Sequence, residues 1–129
     1  MKKLILLLPI FVAMACSTPV EEKVVEKNVN ELIVEKNNEF TEYYPGKKQV
    51  KMHGFTDENG KRHGAWEYYS QEGVKLSATM FEHGLKEGFS VAYYPSGGQH
   101  YIGEYKNDQK IGEWRVYDEK GTLIESKTF

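Results

Sequence analysis

Few residues in this 129-residue chain are of types that do chemistry, and their spacing is poor for it. His53, His63, His83 and His100 lack the intervals of a metal site and have no thiol companion, because Cys16 is the only cysteine. Asp57-Glu58-Asn59-Gly60 and Asp118-Glu119-Lys120-Gly121 look like pieces of calcium loops, but both lack the spaced ligands and the distal glutamate. Glu67 and Glu82 are carboxylates that a hairpin would bring near one another, an arrangement commoner as surface charge than as an acid–base pair. No nucleophile motif and no phosphate loop is present. The expectation is a protein that is not an enzyme and holds no metal and no cofactor. A small cell-wall hydrolase would need a constellation this chain does not write. Aromatic chemistry remains. If Trp66 and Trp114 are exposed, with Phe89 beside the intervening Ser90, they line a notch able to stack on sugars or accept a peptide. If they are buried, they pack the sheet. Both readings stay open at this level.

The elements that carry these residues are set by a repeat. Gly64, Gly88 and Gly112 recur every 24 residues, and so do Tyr69, Tyr93 and Tyr117, Gly73, Gly97 and Gly121, and Phe81, Tyr105 and Phe129. Trp66 and Trp114 match across two periods, with Ser90 in the middle copy. An earlier, weaker copy begins at Glu42. Each unit reads as a β-hairpin: a stretch such as Trp66 to Tyr69 favours strand, and Gly73 supplies the positive φ of a first turn. A second turn follows at Asn59-Gly60, His83-Gly84 and Asn107-Asp108, and Asn-Gly favours a tight two-residue loop. His83 occupies a turn position and is expected to be exposed there. Connections this short force antiparallel neighbours, and the glycines and near-two periodicity exclude helix.

The expected fold is therefore all-β: an elongated antiparallel meander of β-hairpin repeats, a single-layer sheet of seven or eight strands and some 35 Å long. Equivalent side chains fall in rows, with Trp66, Ser90 and Trp114 on the face opposite Tyr69, Tyr93 and Tyr117. Phe129 falls on a row position, so its strand is read as a working edge, blunted by Lys127, and edge-strand self-association becomes possible.

The pattern G-x-W-x-x-Y-x-x-x-G, followed by an aromatic and then a turn pair, resembles the MORN repeat in its bacterial variant. The resemblance covers residues 42–129, with three good copies and one degraded one. Chains of this make-up resemble the YwqK-type antitoxin family. The resemblance implies a MORN-like interaction module; it departs from the pattern at Ser90 and at Asp108, which replaces the second-turn glycine.

Before the repeats stands "MKKLILLLPIFVAMAC", two lysines and an apolar run too short to span a bilayer comfortably, the layout of a secretory signal. Ala13-Met14-Ala15-Cys16 resembles a bacterial lipobox, with Ala13 where leucine is usual. This implies residues 1–15 as a lipoprotein signal peptide and acylation of Cys16. A plain signal peptide with Cys16 incidental is the competing reading. Residues 16–38, with near copies "VVEKN" and "IVEKN", read as the lipidated cysteine and a flexible tether, against an ordered helix or strand. The repeat domain is set at residues 39–129.

Formal charge is −2, and about −4 without Lys2 and Lys3. Acidic and basic residues are interspersed with no basic patch, so nucleic acid is not an expected partner. With one cysteine, an exported chain has no internal disulfide to rely on. The sequence-level expectation is an envelope lipoprotein, held to the membrane by its N-terminal lipid anchor, whose repeats bind a protein or surface polymer. Ser17 after the cysteine points to the outer membrane or cell surface. The alternative is an antitoxin or immunity protein that neutralises a toxin by binding it.

Overall fold

A computed structural model describes residues 32–129. The signal peptide (1–15), the acylation site Cys16 and the tether up to residue 31 lie outside the described residues. What is described is one antiparallel sheet in which every strand pairs with its sequence neighbours. The strands are β1 (Ile33–Lys36), β2 (Glu39–Tyr43), β3 (Val50–Thr56), β4 (Arg62–Tyr69), β5 (Lys75–Glu82), β6 (Leu85–Tyr93), β7 (Gln99–Lys106), β8 (Gln109–Tyr117) and β9 (Leu123–Thr128). This is the all-β meander expected from the repeat.

Two details differ from expectation. The described residues form nine strands rather than seven or eight, because the sheet begins inside the stretch read as tether. Ile33–Lys36 pairs with β2 from Ile33 opposite Glu42 to Lys36 opposite Glu39. The turn between them is Asn37-Asn38, both at positive φ (54° and 64°). Asparagine tolerates this left-handed conformation better than most residues, so two of them stand in for Asn-Gly in a tight hairpin. The second difference is at Asn59-Gly60, which does not form a two-residue loop. There Asp57 N–H bonds to Lys61 O (2.7 Å) and Gly60 N–H to Asp57 O (2.9 Å). The same wider loop recurs at Ser70–Val74, Tyr94–Gly98 and Asp118–Thr122. The other tight turns are His83-Gly84 and Asn107-Asp108, with positive φ at both positions.

The repeat glycines divide into two roles. Gly73, Gly97 and Gly121 close the wide loops at φ 83–92°. Gly64, Gly88 and Gly112 sit inside strands at φ 62–96°, where the register with the preceding strand shifts. A strand that carries extra residues must bulge, and glycine, having no Cβ, takes the positive φ of the bulge without steric penalty. Opposite each of these glycines the earlier strand leaves one residue out of the ladder: Gly54, Met80 and Gly103.

Burial is confined to one face. Trp66 is 2% exposed, Trp114 6% and Ser90 2%, and Gly54 and Gly103 are buried beside them. Trp66 packs against Phe40 (5.2 Å between ring centres) and edge-on to Phe81 (6.5 Å). Trp114 packs against Tyr101 (5.7 Å), Tyr105 (4.9 Å) and Phe129 (6.4 Å). Arg62 covers Trp66 at 4.4 Å and Lys110 covers Trp114 at 4.2 Å, so aliphatic stems and cation–π attraction finish the layer. A single-layer sheet thus builds its core from two aromatic clusters on one side, here called the aromatic face.

Candidate functional site

Strand alternation places Phe89 on the face opposite Ser90, and the two differ accordingly: Phe89 is 65% exposed, Ser90 2%. Trp66, Phe89 and Trp114 therefore do not line a common surface. The tryptophans are core. Each indole lies across the glycine of the neighbouring strand, Trp66 over Gly54 and Trp114 over Gly103, where a Cβ would collide with the ring. Each indole N–H then donates to the carbonyl just past that glycine, Trp66 to Phe55 O (2.8 Å) and Trp114 to Glu104 O (3.2 Å). These carbonyls lie where the bulge interrupts the ladder, so the tryptophan fills space and satisfies a backbone acceptor together.

No notch opens at Ser90. Ser90 lies between Thr79 and Gly103 in the cross-strand row, and its hydroxyl is 2.8 Å from that of Thr79. The middle repeat has exchanged a Gly–Trp pair for a Thr–Ser pair. The column Gly54, Thr79, Gly103 went unread in the sequence, although it sits one strand before Trp66, Ser90 and Trp114 and changes in step with them.

The other face, here called the mixed face, carries the tyrosine row and the organised charges. Glu67 is bound by Lys75 and accepts from Tyr69 Oη at 2.7 Å. The Lys75 ammonium, and then the Tyr69 hydroxyl, hold the Glu67 carboxyl below its ordinary range, while Glu67 raises Lys75. Burial, helped by the bond to Glu67, raises the Tyr69 phenol. Glu113 is bound by Arg115 and by Ser126 Oγ (2.6 Å), which together lower its carboxyl. Beside these ion pairs the same face carries apolar side chains: Phe55 (47% exposed), Met80 (39%) and Phe89, with Ile102 beyond. Phe89, Ile102, Glu104, Glu113 and Arg115 line a depression of about 220 Å³. A second, of about 410 Å³, lies between Glu39, Tyr43, His53 and Tyr69.

The remaining candidates disperse. His53 pairs with Glu39 at 3.0 Å, His100 stacks on Tyr94 at 4.5 Å, and His63 lies 5.4 Å from His83. His83 is exposed in its turn and bonds Asp57 Oδ2 at 2.8 Å, which lowers the Asp57 carboxyl. Among the described residues no three of His, Cys, Asp and Glu gather into a metal-binding group. Glu67 lies opposite Ala78 and Glu82 opposite Leu85, so these two carboxylates are not neighbours. Asp57 and Asp118 use Oδ1 to hold the N–H groups of their own loops, Asn59 and Lys61 in one and Lys120 and Thr122 in the other.

Compared with known proteins, the sequence matches no family model and no curated protein.

Proposed function

We propose that this chain is a membrane-anchored envelope lipoprotein whose MORN-like repeats form a non-catalytic protein-binding module, and that the mixed face takes the partner. The observation that carries this is the contrast between the faces. The tryptophans of one side are buried beneath neighbouring rings, of which Phe129 is half-exposed, while Phe89 stands two-thirds exposed near the middle of the other. An apolar centre with Phe55 and Met80, rimmed by the Glu67–Lys75 and Glu113–Arg115 pairs, has the anatomy of a protein interface. The lipobox-like stretch before Cys16 supports display at a membrane surface, and the repeat pattern supports binding over catalysis.

The test is crosslinking in native membranes with wild-type protein and Phe89→Asp. Phe89 is two-thirds exposed, so the variant should keep its thermal midpoint within a few degrees and lose the crosslinked partner. Retention of the partner by Phe89→Asp and Phe55→Asp alike would exclude the mixed face. The mass of the N-terminal peptide from the same membranes tests the anchor. Acylated Cys16 supports it, and an intact Met1 in the soluble fraction overturns it.

A further inference from the structure

β9 pairs with β8 on one side and, among the described residues, with no strand on the other. All six of its residues are exposed, the apolar Leu123 (50%) and Ile124 (62%) among them, and Phe129 (51%) follows directly. Phe129 N–H bonds to Gly112 O at 3.0 Å. Alternate N–H groups of a strand point opposite ways, so those of Ile124, Ser126 and Thr128 face outward from the sheet.

The sequence of this edge, Leu-Ile-Glu-Ser-Lys-Thr-Phe, is complementary to its own reverse about Ser126. We infer that β9 pairs antiparallel with β9 of a second copy across a two-fold axis at Ser126, extending the sheet through both molecules. In that register Ser126 exchanges both backbone hydrogen bonds with Ser126 of the partner subunit. Glu125 then faces the partner's Lys127, and Lys127 the partner's Glu125. These are the non-hydrogen-bonded positions, where side chains of an antiparallel pair approach most closely. Leu123 comes opposite the partner's Phe129, covering two of the half-exposed apolar side chains.

Charge selects this register over its neighbours. An axis at Glu125 or Lys127 sets like charges face to face, and an axis at Ile124 or Thr128 leaves both charges without an opposite. Parallel in-register stacking repeats like on like. The contact is isologous and closes as a dimer with the two β1 strands at its far ends. A single strand pair buries little area, so the dissociation constant belongs on the order of 1–100 µM.

Sedimentation of the full chain in density-matched detergent tests the pairing, with circular dichroism to check folding of every variant. Wild type should dimerise. Glu125→Lys places lysines opposite one another twice and should weaken the dimer about tenfold. The double variant Glu125→Lys/Lys127→Glu restores opposite charges with the signs exchanged and should regain wild-type affinity. Ser126→Pro removes an N–H that points away from β8, and should give folded monomer. A wild type monomeric up to about 500 µM overturns the proposal. So does a charge exchange no better than the single variant, or a Ser126→Pro that dimerises normally.

Discussion

At the scale of single residues, a row of side chains decides how this one-layer sheet is held. Across the aromatic face it runs Phe40, Gly54, Trp66, Thr79, Ser90, Gly103, Trp114 and Lys127. Each tryptophan leans onto the glycine one strand earlier, so a large ring always has an empty seat beside it. The middle repeat has no tryptophan because Thr79 fills that seat. Ser90→Trp alone should therefore destabilise the protein through overpacking, by about 1–3 kcal/mol. Adding Thr79→Gly reopens the seat and should recover most of the loss, a coupling readable as a double-mutant cycle in urea. Equal stability of single and double variants would show that the glycine seat is not what the ring requires. By the same logic, Trp114→Ala should cost about 3–5 kcal/mol, measured by denaturant unfolding. Exposed Phe89 should tolerate alanine with almost no change.

At the scale of elements, the wide loops are closed in two ways. Ser70 and Asp118 close theirs locally, with the side-chain oxygen accepting N–H bonds within the loop. Tyr44 and Tyr94 reach instead to the next repeat, donating to Tyr69 O and Tyr117 O at 2.8 Å. Tyr94→Phe should lose about 0.5–1.5 kcal/mol in unfolding free energy, because the carbonyl it caps keeps only water as a partner. The pair on β4 and β5 adds a pH dependence. Lys75 and Tyr69 lower the Glu67 carboxyl, so its contribution is complete above the ordinary carboxylate range near 4.5 and is lost as pH falls through the lowered value. Lys75 is raised, so its part persists up to the ordinary lysine range near 10.5 and is lost above it. Glu67→Gln should flatten the acid limb of the stability–pH curve below about pH 5, and an unchanged limb would show the pair to be energetically idle.

At the scale of the whole molecule, each described strand pairs only with its sequence neighbours, so stability propagates largely along one dimension. The two aromatic clusters sit on β2–β5 and β7–β9, joined through β6 by the small residues Thr79, Ser90 and Gly103. Hydrogen exchange should be slowest in β4 and β8, which carry the tryptophans, and fastest in the edge strands β1 and β9, whose side chains are largely exposed. Uniform protection across all nine strands would show instead that the sheet opens as one unit. If β9 pairs with a second copy, its protection should rise with concentration, while that of β1 stays unchanged.

Much of the fold was legible in the sequence because a repeat writes its periodicity openly. Glycines and tyrosines every 24 residues, separated by short turn signals, require antiparallel hairpins in chain order, and they put the tryptophan and tyrosine rows on opposite faces. Local chemistry did not decide three further matters. Asn37-Asn38 turns the chain like Asn-Gly only because Glu39–Tyr43 lies ready to pair with Ile33–Lys36. The fate of Trp66 and Trp114 depended on the seats at Gly54 and Gly103, which belong to other strands and meet the rings only once the bulges shift the register. Phe89 and Ser90 are adjacent in the chain and opposite in fate, because the sheet buries its tryptophans on one face alone. Spacing along the chain determined which residues align; burial, which decides whether an aligned aromatic is core or surface, is a property of both faces together and was settled only by the tertiary structure.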